Sequence, residues 1–246
     1  MRPEEFHALA RVEREHWFYR GKRAIVRHWL RALRPLAADD LLVDVGAGTG
    51  QFLIELAGSC QALGIEPDRV GLQIASGTKA RLVRGSIAAL PVASGRAAAV
   101  TALDVLEHVE DDGAALRELV RITRPTGLVA LHVPAFPALW SDWDVALGHR
   151  RRYTLPELHR LVEGAGLAIR RCVYVNSAAF LPILLYRRLR TRRRPGAAER
   201  LEDHVPPAAL NALLYALFVV PARWRWFAPP VGVSILCIAE KPVPMR

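Results

Sequence analysis

The sequence offers little that would tie it to the outside of a cell or to a thiolate metal centre. Its three cysteines, Cys60, Cys172 and Cys237, are odd in number, scattered and without metal-ligand spacing. They argue for neither a disulfide framework nor a zinc site, and a reducing cytoplasm is the natural setting. The opening MRPEEFHALARVEREHWFYR carries charges where a secretion signal needs an apolar stretch, so none is visible. No apolar run reaches the roughly twenty residues that a membrane-spanning helix needs. Two phosphate fingerprints are missing as well: the glycine turn at 46–50 does not read GxGxxG, and no Gly-Lys-Ser/Thr follows it. No recognisable RNA-binding module is present, and no Asn-Pro-Pro-Tyr-like tetrad follows the fourth predicted strand.

What is present centres on LLVDVGAGTGQF at 41–52. An apolar run with Val43 and Val45 breaks into Gly46, Gly48 and Gly50, just where a helix carrying Phe52, Leu53 and Leu56 can begin. A strand, glycine turn and helix in this order let a backbone approach a ligand closely and aim unpaired helix amides at its polar atoms. A second apolar segment, Ala62–Ile65, ends in Glu66, twenty positions beyond Gly46. A carboxylate at that strand tip can accept both hydroxyls of a ribose. Asp44, the GxGxG turn and Glu66 together fit a nucleoside without a pyrophosphate.

Four ordered pieces then carry a family resemblance: VDVGAGTG at 43–50, GIEPD at 64–68, ALDVLEHVEDD at 102–112 and RITRPTGLVALHVPA at 121–135. In this order they resemble the class I S-adenosylmethionine-dependent methyltransferases, in particular the small-molecule type 11 enzymes. The resemblance implies S-adenosyl-L-methionine as cofactor and a doubly wound, Rossmann-like α/β sheet of seven strands with the last antiparallel. It also implies N-terminal helices lying over the cofactor as a lid. One domain is expected, made of lid helices at 1–38, a cofactor-binding core at 39–176, a helical insertion at 177–230, and the last strand and tail at 231–246.

The cofactor is expected at Asp44, Gly46, Ala47, Gly48 and Gly50, with Glu66 and Pro67 on the ribose side. From the lid, Trp17, Tyr19 and Arg20 or Arg23 are candidates to touch it. Where related enzymes often hold the adenine with an Asp after a glycine, this chain has Ser86, so that contact is expected through Ser86 and the backbone amide of Ile87. Asp104 and Val105, at a strand tip near the switch point of the sheet, are placed beside the methionine part. Glu107 and His108 read either as an acid/base pair or as a helix cap.

The polar-aromatic stretch LWSDWDVALGHRRRYT at 139–154 suits an acceptor site. Methyl transfer is an in-line displacement, so the protein must align the nucleophile and, for a hydroxyl or amine, remove a proton. His149 is the preferred base because imidazole titrates near neutrality. Trp140, Trp143 and Asp144 are substrate candidates, and Arg150 and Arg151 are placed to hold an anionic acceptor. No metal is expected.

The net charge of +10 is concentrated: between Arg150 and Arg200 thirteen basic residues face three acidic ones. Apolar stretches at 177–189 and 208–220 adjoin this region, the first running into Arg192–Arg194. Helices of this kind suit an anionic membrane surface, a roof over a greasy acceptor, or a homodimer interface. The expected partner is a small-molecule acceptor (a secondary metabolite, sugar, quinone or lipid-linked intermediate), with peripheral membrane contact through 178–228. The expected location is the cytoplasm, at the inner face of the membrane if that contact forms. An RNA-modifying methyltransferase and a non-catalytic cofactor-binding regulator are the rival readings.

Overall fold

β-branched and alanine-rich runs form the centre of the molecule because they can be buried on both faces of a sheet. The computed structural model describes residues 3–190 and 204–243. Its strands are β1 (Leu41–Val45), β2 (Gln61–Glu66), β3 (Leu82–Arg84), β4 (Ala97–Leu103), β5 (Thr123–Pro134), β6 (Ala168–Val175) and β7 (Ser234–Glu240). They lie in the order β3-β2-β1-β4-β5-β7-β6. Strands β1 to β5 pair in parallel, and β7 runs antiparallel between β5 and β6. The expected seven-stranded sheet with its last strand reversed is therefore what forms. Strand β4, AAAVTAL, is buried almost throughout, as a central parallel strand must be.

Alternate residues of each strand feed two apolar layers. One face packs Val43, Val100 and Leu131 against α5 (Asp112–Ile122) and α7 (Leu155–Gly164) through Leu116, Leu119, Leu158 and Val162. The other packs Leu42, Ala130 and Leu236 against α2 (Trp17–Leu33), α3 (Gln51–Leu56) and α9 (Ala208–Ala222). Two periods meet here, two residues along a strand and about 3.6 along a helix. The remaining helices are α1 (Pro3–Val12), α4 (Arg69–Ser76), α6 (Asp142–Leu147) and α8 (Phe180–Arg190). No helix among the described residues is long and apolar enough to cross a membrane.

Local details differ from the sequence pattern. The aromatics Trp17, Phe18 and Tyr19, three bulky rings in a row, are the first turn of α2. His16 caps that turn, its Nδ1 accepting from the Phe18 amide at 3.3 Å. The RPTG segment at 124–127, which has the composition of a turn, lies inside β5. The Thr126 amide donates to the Lys241 carbonyl at 2.7 Å and the Lys241 amide to Gly127 at 2.9 Å, so β7's end extends the ladder to it. Cys172 and Cys237, distant in sequence, are cross-strand partners with free thiols. Arg192–Arg194 lie outside the described residues.

The chain between β6 and β7 packs onto the N-terminal helices. Phe218 of α9 stacks on Phe18 at 5.9 Å, and the Trp29 indole donates to the Ala222 carbonyl at 2.9 Å. Arg171 of β6 lies 4.1 Å over the Trp29 ring and donates to the carbonyls of Trp224, Arg225 and Phe227, which fixes the end of α9. Close approach requires a glycine: a Cβ at Gly21 would sit 2.5 Å from Phe218 Cδ1. Gly21→Leu is expected to lower stability by about 1–3 kcal/mol, the usual cost of overpacking. Urea denaturation reads the change, and an unmoved midpoint would mean that α2 and α9 are not packed this tightly.

Candidate active site

The C-terminal ends of β1, β2 and β4 meet the N-terminal helices around a cavity of about 610 Å³, a size typical of small-molecule sites. The turn after β1 forms its floor. Gly46, Gly48 and Gly50 have left-handed backbones, with φ of 71°, 56° and 82°, which glycine adopts without a steric cost. A Cβ at Gly46 would lie 2.5 Å from Val105 Cγ2, whereas nothing lies within 4 Å of the same position at Gly48. Bare backbone is thus presented to the cavity at 48. Gly50 does not line it and instead starts α3.

Carboxylates surround this turn. Glu66, at the tip of β2, accepts from the amides of Gly48 at 2.8 Å and Asp68 at 3.0 Å. Burial raises its pKa against the pull of these two amides. Asp44, in β1, accepts from the Thr101 hydroxyl at 2.5 Å, and burial pushes its pKa up to about 7. Asp104 follows β4 with a left-handed backbone, φ 59°. Lys22 Nζ lies 2.5 Å from one of its oxygens and His132 Nδ1 2.6 Å from the other. Burial alone would raise the Asp104 pKa, but these two partners hold it well below the carboxylate range. Phe136 and Asn176, after β5 and β6, share this left-handed geometry with φ of 55° and 59°. Such strain at the C-terminal ends of β4, β5 and β6, which lie on one edge of the sheet, is characteristic of ligand-binding edges.

Glu107 is fully buried, and neither of its oxygens has a hydrogen-bond partner. Burial, then the Asp104 charge, raises its pKa well above the ordinary value. His149 stands beside it, Nε2 3.9 Å from Glu107 Oε1, while its Nδ1 lies 2.8 Å from Asp144 Oδ1. Asp144 also accepts from Arg152 Nε at 2.7 Å and from the Ser141 amide at 2.9 Å. Burial opposes ionisation of Asp144, but His149 and Arg152 bring its pKa down to about 2. His108 packs edge-on to His149 at 4.8 Å, and burial with the His149 charge lowers its pKa to about 4.

Of the residues expected from sequence, the cavity gathers Tyr19, Arg23, Asp44, Gly46, Ala47, Gly48, Glu66, Pro67, Ser86, Ile87, Asp104, Val105, Trp143 and His149. Arg23 points its guanidinium at Glu55 Oε1 and the Glu13 carbonyl, both at 2.8 Å. Asp144 sits behind His149 and does not line the cavity, nor do Trp140 and the exposed Arg150. Arg151 turns away to Asp112 at 2.8 Å and the Glu110 carbonyl at 2.7 Å. The arginine of this run that reaches the cavity is Arg152.

Lys22 and His132 escaped the sequence reading. His132 is the lone polar side chain in the continuously buried run 128–134 of β5, and a polar residue in such a run is a usable signal. Lys22, in α2, has none, because its partner is 82 positions away.

A family model described as a methyltransferase domain matches residues 17–171. An uncharacterized methyltransferase of Mycobacterium sp. (strain JLS) is 30% identical over 142 residues, 54% of this chain and 56% of that protein. A demethylmenaquinone methyltransferase of Mycolicibacterium vanbaalenii is 38% identical over 105 residues, 41% of this chain and 46% of that one. The chain thus spans about half the length of the curated relatives it matches. Among solved structures, a SAM-dependent methyltransferase from Thermotoga maritima superposes with TM-score 0.61 at 16% identity, covering 97% of this chain and 95% of that one. A geranyl diphosphate methyltransferase superposes with TM-score 0.59 at 15% identity, covering 88% and 76%. These likenesses are of fold.

Asp44 yields a pH prediction. Its folded pKa of about 7 lies above the ordinary 3.8, so the folded state holds an extra proton between those values and loses stability as pH rises through them. Asp44→Asn removes this dependence. Urea midpoints at pH 5 and pH 8 should show the variant gaining on the parent by on the order of a few kcal/mol. A pH-independent difference would contradict the assignment.

Proposed function

The chain belongs to the class I S-adenosylmethionine-dependent methyltransferases, and we propose that it methylates a lipophilic acceptor inside the cavity described above. The observation that carries the reading is electrostatic. Among the described residues, no Lys or Arg pairs with Asp44, Glu66 or Glu107, although all three line the cavity and are buried. Buried unpaired carboxylates are costly, and a ligand carrying positive charge and hydroxyls relieves that cost. S-adenosylmethionine has both, and it supplies a methyl group activated by its positive sulfur.

The residues present fit it. Bare backbone at Gly48 admits close approach, and Glu66 keeps lone pairs beyond those used by Gly48 and Asp68. Asp104, held by Lys22 and His132, faces the same space from β4. Phe18, Trp143, Leu147 and Ile183 give the outer cavity apolar walls that exclude water and align an apolar acceptor. Removal of the acceptor's proton falls to the group formed by Glu107, His108 and His149, the last of which Asp144 orients.

Two observations support a lipophilic acceptor. Ile183 and Arg187 of α8 line the cavity, so the chain between β6 and β7 contributes to it. The outer side of α9 exposes Leu210, Leu213, Leu217 and Val220, with Trp224 and Trp226 at its end. An uncharged exposed stripe ending in tryptophans and arginines suits an anionic membrane surface. Similarity to demethylmenaquinone methyltransferases adds support for a quinone-like ring as the acceptor.

Calorimetry tests the cofactor assignment. Glu66→Ala should weaken S-adenosylmethionine binding by about 10- to 100-fold, the value of one or two hydrogen bonds to a charged group; unaltered affinity refutes it. Liposome flotation tests the surface. Leu213→Asp with Leu217→Asp should release the protein from anionic vesicles while sparing cofactor affinity, and failure of the parent protein to float would remove the membrane from the reading.

A further inference from the structure

We infer that Glu107, His108 and His149 form a binding site for a divalent transition-metal cation on the wall of the cavity. One donor atom from each of the three lies within 4.8 Å of the others. Metal–nitrogen and metal–oxygen bonds of about 2.0–2.2 Å require donors no farther apart than about 4.3 Å, a contraction that small side-chain rotations supply. Two imidazoles and one carboxylate, with the remaining positions open, suit iron(II), cobalt(II), manganese(II) or zinc(II).

A second observation points independently to a ligand. Glu107 is fully buried and lines the cavity, yet both its oxygens lack partners. A carboxylate in that condition is poised to meet a cation. The imidazoles are prepared in the manner of metal ligands. Asp144 Oδ1 accepts from His149 Nδ1–H at 2.8 Å, which leaves the Nε2 lone pair facing Glu107. His108 stands edge-on to His149 with ring centroids 4.8 Å apart, which sets the two imidazoles side by side at the Glu107 carboxylate. Outer partners such as Asp144 fix tautomer and ring orientation at metal centres.

The site deepens the function proposed above, and rests on it only for the cation's role. With the cation bound, these three side chains serve as its ligands in place of the base role given them above: an acceptor hydroxyl would bind the cation through oxygen as its O–H bond breaks and the proton passes to water. His149 would then act as a ligand while the oxyanion faces the methyl donor. Binding of the metal itself does not depend on that reading.

The test uses cobalt(II) as a probe on the full chain after treatment with chelator and dialysis. One equivalent should bind saturably and give visible ligand-field absorption. Glu107→Gln and His149→Ala should each abolish the absorption, with the folded state checked by circular dichroism. Asp144→Asn should weaken binding by about 10- to 100-fold, as loss of an outer partner does. His159→Ala, altering an exposed histidine on α7, should change nothing. Absence of saturable binding, or a spectrum that persists in both Glu107→Gln and His149→Ala, overturns the site. If cobalt binds as expected but S-adenosylmethionine does not, the metal site stands and the methyl-transfer reading fails.

Discussion

Negative charge held inside an apolar sheet is the constraint on which the rest of this molecule depends. Asp44, Glu66, Asp104 and Glu107 stand at or near the C-terminal ends of β1, β2 and β4, where a doubly wound sheet opens at its switch point. Only Asp104 has a lysine, and Glu66 makes do with two backbone amides. Burial drives Asp44, Glu66 and Glu107 toward the neutral form. A protein selected for stability alone would not keep three such groups in one cavity. Their presence is the physical signature of a ligand that bears the missing charge and donors.

The elements outside the sheet are arranged to close this cavity. Helix α2 delivers Lys22 to Asp104 from one side and receives Phe218 at Gly21 on the other. Trp17 donates its backbone amide to Asn211 at 2.8 Å, and the Asn211 side chain returns a bond to the Glu15 carbonyl at 2.9 Å. The segment between β6 and β7 therefore braces the N-terminal helices while α8 contributes to the cavity wall. Coupling of this kind means that anything seated on α9 also bears on the helix that carries Lys22.

Much of this was legible in the sequence because it is local. The GxGxG turn, the carboxylate twenty positions on and the apolar strands are short-range patterns with direct physical meanings, and the resemblance they carry led to a seven-stranded sheet with its last strand reversed. What escaped was decided at a distance. Arg151 and Arg152 are adjacent and chemically identical, yet Asp112 captures the first and Asp144 aims the second at the cavity. The RPTG segment has the composition of a turn, but the last strand's hydrogen bonds draw it into β5. Glu107 reads either as half of an acid/base pair or as a helix cap until its burial and lack of hydrogen-bond partners are known.

The central claim, that these carboxylates await a cationic ligand, is tested most directly by proton counting during binding. S-adenosylmethionine titrated calorimetrically near pH 6.5, in buffers of different ionisation enthalpy, should bind with net release of protons as buried carboxyl groups such as Asp44 ionise beside it. Absence of binding, or binding whose heat is the same in every buffer, would contradict the account.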